Sequence, residues 1–228
     1  MPVTDLRLPP DASRLRDVIA LIVEPIWDLI GIPDGHDRRL DDLTPGQRGV
    51  YGLQVMLAEV DNGGFDQYFW NSTGSLHSEA TEGARLIGAP PWIDLLEEAS
   101  TLVGDPYPRH RAERLGRLDV LRAAGRERLA SLDDRAYALS RDPDTDLSRL
   151  IRLMVPDRRS DFFDDSMPFS LRAERLVRMA HALISAERDR DLDGAEQLLR
   201  RAVEISDEDT PSHRRGLSLL SQLPDLRS

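Results

Sequence analysis

The chain has 228 residues, 40% hydrophobic and 31% charged, which suits one large or two small globular domains with a buried core. It lacks cysteine and lysine, which excludes disulfides, thiolate metal sites, a cysteine nucleophile and a Schiff-base or phosphate-loop lysine. The net charge is −11, with 17 acidic against 7 basic side chains in residues 1–104 and 24 against 23 after them, so the first part is ill suited to nucleic acid.

The opening MPVTDLRLPPDASRLRD has neither the basic region nor the apolar stretch of a secretory signal, and no apolar run is long enough for a membrane span. The expected location is the cytoplasm, away from any membrane. A first helix is predicted over 12–30, kinked or split at Pro25, with Leu15, Val18, Ile19, Ile22, Val23 and Ile26 on one face. After the turn cluster at 31–35, Thr44, Pro45 and Gln47 form a capping box with proline in the first helical position. Val50, Leu53, Met56, Leu57 and Val60 then follow at helical spacing. Asn62-Gly63-Gly64 is predicted to stop this helix, with Gly63 in the left-handed conformation.

Four aromatics lie within the next six residues, Phe65, Tyr68, Phe69 and Trp70, and are expected in the core. Asn62, Gln67, Asn71 and Ser72 are expected to serve backbone groups freed at the helix ends. Further helices are predicted up to Ile87, capped by Ser75 or Ser78, and from Pro90-Pro91 to Gly104. Asp105-Pro106-Tyr107-Pro108 reads as a linker. The stretch 109–140 is strongly helical, with a break predicted near Leu132-Asp133-Asp134. A short helix over 147–154, a charged loop over 155–169 and helices over 171–187, 193–205 and 211–223 complete the chain. No stretch alternates with period two. The expected fold is all-α, an irregular bundle of eight to ten helices, with an acidic domain at 1–145 and a helical extension at 146–228 packed on it.

The run Glu59-Val60-Asp61-Asn62-Gly63-Gly64-Phe65-Asp66-Gln67-Tyr68-Phe69-Trp70-Asn71-Ser72-Thr73-Gly74 resembles the bacterial DNA-mimic-protein-nineteen-like domains. Leu43-Thr44 before it and Leu86-Ile87-Gly88-Ala89 after it extend the resemblance over about residues 41–140. The resemblance implies an acidic, all-helical, often dimeric domain that offers carboxylates where DNA offers phosphates. It brings no catalytic residues with it.

The residue chemistry leaves two functions open. The first is a non-enzymatic protein that engages a basic partner, such as a DNA-binding regulator, through an acidic surface. Glu24, Asp28, Asp41, Asp42, Asp94, Glu97 and Glu98 are its candidate residues, although solvated outer faces of amphipathic helices are the simpler account of the same acids. The second is a small-ligand binder or hydrolase-like enzyme with a polar pocket over Glu59–Ser72, built from Glu59, Asn62, Gly63, Gly64, Phe65, Gln67, Tyr68, Phe69, Asn71 and Ser72. Amides recognise ligands well but do little acid–base chemistry, so catalysis is the lesser expectation. His77 with Glu79 and Glu82, or Asp161 with Asp164 and Asp165, are the best-spaced acidic or imidazole groups, but neither has a metal motif. No cofactor and no metal is expected.

Overall fold

The computed structural model describes residues 18–30, 32–35, 37–41, 43–124, 127–157, 161–162, 169–185 and 191–227, without the side chains of 21, 24, 25, 28, 29, 156, 157 and 169–171. Asp42, Asp164 and Asp165, the side chains of Glu24 and Asp28, and the first turns of the predicted opening helix therefore lie outside the described residues. Among the described residues there are ten α-helices and no strand. They are α1 (Val18–Ile30), α2 (Pro45–Trp70), α3 (His77–Leu86), α4 (Pro90–Val103) and α5 (Arg111–Ala124), then α6 (Glu127–Arg141), α7 (Leu147–Asp157), α8 (Phe169–Ser185), α9 (Leu192–Ile205) and α10 (Pro211–Leu226). The chain divides into two compact units, one spanning Ile22–Phe162 and the other containing α8, α9 and α10, with the division falling inside α1.

In the first unit α2 is the central element, packed by α3, α5 and α6. Its start is fixed locally. The Thr44 hydroxyl accepts from Gln47 N–H at 3.2 Å and the Gln47 side chain accepts from Thr44 N–H at 3.1 Å, which closes the capping box. Its face toward α3 carries glycines because the two backbones nearly touch. A Cβ on Gly49 would lie 2.7 Å from Gly83 Cα, and one on Gly52 would lie 2.6 Å from Ala80 N. Val50, Leu53, Met56, Val60, Phe65, Tyr68 and Phe69 of α2 are buried, as are Trp92, Leu95, Leu96 and Ala99 of α4 and Leu129 and Leu132 of α6. Burial of each large apolar side chain contributes about 1.5–3 kcal/mol before entropy is set against it.

In the second unit α9 packs on both α8 and α10. The buried stripes are Ala173, Leu176, Val177, Ala180 and Leu183 on α8, and Ala195, Leu198, Leu199 and Ala202 on α9. Asp191 caps α9 by accepting from Gly194 N–H at 2.7 Å, and Thr210 caps α10 by accepting from His213 N–H at 3.3 Å.

Several local expectations need correction. Of the two alternatives at Pro25, the split is not found: α1 runs through it to Ile30 as one element. The Leu132-Asp133-Asp134 stretch lies inside α6, and the two helices of this region part between Ala124 and Glu127. Aspartates read as helix breakers, yet Asp133 has a tertiary role that outweighs propensity. Helix α3 is preceded by a 3-10 segment, Ser72–Leu76, and neither Ser75 nor Ser78 caps it. The Ser75 hydroxyl instead donates to Arg109 O at 2.9 Å and accepts from Gly35 N–H at 3.2 Å. The 105–108 stretch is docked, not a free linker: Pro108 is buried and the Tyr107 hydroxyl donates to Gly74 O at 2.8 Å.

Candidate functional site

The Asn62-Gly63-Gly64 signal interrupts α2 without ending it. Gly63 is extended in φ at −162°, and Gly64, not Gly63, takes the positive φ, 73° with ψ −175°. That combination is essentially open to glycine alone. The helix then resumes, which leaves Phe65 N–H without an intrahelical acceptor. The carboxylate of Asp133, from the middle of α6, accepts that N–H at 2.7 Å. Asp133 reaches the spot because Gly64 has no Cβ: one would lie 2.5 Å from Asp133 Oδ2. The break is thus capped by a carboxylate from another helix. Burial raises the Asp133 pKa, the Phe65 N–H opposes this, and the neighbouring Asp134 and Asp66 charges add to the rise.

A second carboxylate spans the break. Glu59 Oε2 accepts from the Gln67 amide and from the Asn71 amide, both at 2.9 Å. Asn71 also caps the resumed helix, with its N–H donating to Gln67 O at 2.9 Å. The motif's amides and acid therefore bond to one another. Asp61, Asn62 and Gly63 are exposed, Ser72 is half-buried, and Phe65, Tyr68 and Phe69 are fully buried. Trp70 departs from the expected core placement. It is 40% exposed and lies between two cations, with the Arg122 guanidinium 4.6 Å and the Arg111 guanidinium 5.5 Å from its ring centroid. Being the last residue of α2, it points away from the face that Phe65 and Phe69 share.

Behind the break lies a buried polar core that sequence spacing did not disclose. Arg114 of α5 is fully buried, and its guanidinium donates to Phe69 O at 3.0 Å, Asn71 O at 2.8 Å, Pro108 O at 3.3 Å and Arg109 O. Four carbonyls take the place of a counterion, and desolvation lowers the Arg114 pKa. The last glycine of the motif is explained by this contact, since a Cβ on Gly74 would lie 2.7 Å from Arg114 Nε. His77 stacks on Tyr107 at 4.6 Å and faces Leu96 O from Nε2 at 3.0 Å. A carbonyl can only accept, so Nε2 carries a proton. Burial pushes the His77 pKa down to about 4. The Tyr68 and Tyr107 hydroxyls are raised, chiefly by desolvation.

The candidate acidic surface is more neutralised than its composition suggests. Glu97 accepts from Arg85 at 2.5 Å, and Glu98 pairs with Arg135. Asp94 is exposed and forms no ion pair among the described residues, and Asp41 is exposed. Asp66 makes a two-pronged pair with Arg122, at 2.8 and 2.9 Å. Glu79 is buried and accepts both Arg109 Nη groups on one oxygen, each at 2.9 Å, while Glu82 is exposed and pairs with Arg85. His77, Glu79 and Glu82 are thus separately engaged. Two clefts flank α3, one of about 500 Å³ lined by Glu79, Arg48 and Arg109 among others, and one of about 370 Å³ toward α4 lined by His77, Thr81 and Glu97 among others.

A helical chain with an acidic first half, whose central helix is broken at a double glycine and recapped by a distant carboxylate, defines an acidic α-domain. Residues 41–154 match the family described as DMP19-like protein, and the chain belongs to that family. The match runs past the expected end at 140 and takes in α6 whole and much of α7. No curated protein and no solved structure matches the chain. No described helix is long and apolar enough to cross a membrane.

Proposed function

We propose that the protein is a non-enzymatic acidic module that engages a basic protein partner through the carboxylates along the seam of α2 and α6. The observation that carries this is the charge around the break. Asp61 and Asp134 are exposed there and form no ion pair among the described residues, while Asp66 and Asp133 stand beside them. Arg122 answers Asp66 and, at 3.6 Å, Asp119, which leaves the seam net negative. Family membership supports the finer reading, in which the partner is a DNA-binding regulator and the carboxylates stand where phosphates would. For that role the α4 row is the weaker surface, since Arg85 and Arg135 already neutralise Glu97 and Glu98. Exposed pairs of this kind are worth less than about 1 kcal/mol and yield to a stronger basic partner only where the exchange gains contacts.

The test is capture of basic proteins from a cell extract on the immobilised chain at low and high salt, with duplex DNA as competitor. The expected partner is basic, is released by salt and by DNA, and binds the Asp61→Asn, Asp134→Asn double variant at least tenfold more weakly. A partner held unchanged by that variant, or indifferent to salt, refutes the proposal.

A further inference from the structure

We infer that Asp66 and Trp70 form a guanidinium-binding site which the chain's own Arg122 fills, and that the side chain it takes from a partner is an arginine. The inference rests on the reading of the seam given above and names the partner group that faces Asp66. Arg122 Nε donates to Asp66 Oδ1 at 2.8 Å and Nη2 donates to Oδ2 at 2.9 Å, so both carboxylate oxygens meet one guanidinium edge. The same guanidinium lies over the Trp70 ring, 4.6 Å from its centroid. Arg111 holds Trp70 in place: its Nε donates to Trp70 O at 2.6 Å, and its own N–H donates to Asp34 at 2.8 Å. A carboxylate fork beside an aromatic face is selective. The fork matches two parallel N–H donors, and the ring favours a flat, weakly hydrated cation. A lysine ammonium is a point charge and cannot bond both oxygens in parallel while it stacks.

Arg122 is not locked into this position. Its side chain is 21% exposed and that of Asp66 30%, and Trp70 is 40% exposed, so a guanidinium from outside can reach both groups. Asp119, one turn earlier on α5, already lies 3.6 Å from Arg122 Nη1 and is itself exposed. A partner's arginine that takes Asp66 therefore leaves Arg122 an acceptor on its own helix, and the exchange keeps each charge paired. Arg122 thus closes the site to cations that bring no further contacts. The exposed Asp61 and Asp134 of the seam supply the negative field that draws a basic chain toward it.

The test is fluorescence anisotropy with two labelled peptides of equal length, an oligoarginine and an oligolysine, titrated with the full chain at low salt. Arg122→Ala empties the site and is expected to strengthen binding of the arginine peptide about fivefold more than that of the lysine peptide, the factor an exposed ion pair carries. Arg128→Ala removes an exposed arginine that forms no ion pair among the described residues, and is expected to change both peptides alike. Adding Asp66→Asn or Trp70→Leu to Arg122→Ala is expected to abolish the extra gain. Arg122→Met, which keeps an apolar stem on α5, repeats the measurement if circular dichroism shows that Arg122→Ala has lost its helices. An equal gain for both peptides overturns the guanidinium site and leaves the seam standing. Failure of both peptides to bind any variant overturns the seam, and this site with it.

Discussion

Replacing Gly64 by alanine should cost more than replacing its neighbour Gly63, although both interrupt the same helix. At φ 73° and ψ −175° an alanine is strained by about 1–3 kcal/mol. Its Cβ would also sit 2.5 Å from Asp133 Oδ2, so the carboxylate must withdraw and Phe65 N–H loses a charged acceptor, worth about 1.5–3 kcal/mol. The two effects sum to roughly 2.5–6 kcal/mol, a large part of the ~5–15 kcal/mol that holds an ordinary domain together. At Gly63 φ is −162°, open to any residue, and the added Cβ would meet Gln67 Oε1 and, at 2.9 Å, Gln67 Cβ, so the amide must swing away and the helix backbone give slightly. The cost there is chiefly the Gln67–Glu59 hydrogen bond, also to a carboxylate and worth about 1.5–3 kcal/mol, with no φ strain added.

All three tryptophans, Trp27, Trp70 and Trp92, lie in the first unit, so fluorescence during urea unfolding reports on that unit alone. In a double-mutant cycle, Gly64→Ala and Asp133→Ala should together cost less than the sum of their separate effects. Equal costs at Gly63 and Gly64, or strict additivity with Asp133→Ala, would refute the capping account.

Arg114→Lys should destabilise the first unit by about 3 kcal/mol or more, because one ammonium cannot serve four converging carbonyls, and the shift in urea midpoint measures it. His77 should make the protein acid-sensitive. Its folded pKa, near 4, lies below the unfolded value, so the unfolded chain takes up the proton first as pH falls. The stability associated with neutral His77 is whole above about pH 6.5 and falls by about 3 kcal/mol by pH 4. Urea midpoints across that window should show the slope, and His77→Phe should flatten it.

Helix positions and caps were legible because they are written in consecutive residues. Thr44-Pro45-x-Gln47, Pro90-Pro91 and Thr210-Pro211 each carry their own start signal, and the structure uses all three. The double glycine was legible as a break, but its outcome was not, since the acceptor that lets the helix resume is 68 residues away. Asp133 looked like a helix breaker for the same reason: its use is tertiary. Arg114 left no trace in the sequence, where one arginine among 30 looks like another surface charge. Gly74 was its only shadow, a glycine with no turn to explain it. The neutralisation of Glu97 and Glu98 was equally hidden, because the arginines that meet them come from α3 and α6.

The distance between Gly64 and Asp133 sets a lower limit on what can be inherited or transplanted as one piece. The motif at 59–74 is half of a lock, and the other half is a single carboxylate on α6. A fragment cut after α4 would keep every residue of the motif and still lose its shape. Recombination that joins the motif to a foreign α6 must supply an acid at the matching turn, or the break reverts to an uncapped end. The smallest self-sufficient segment therefore runs from Thr44 past Asp133.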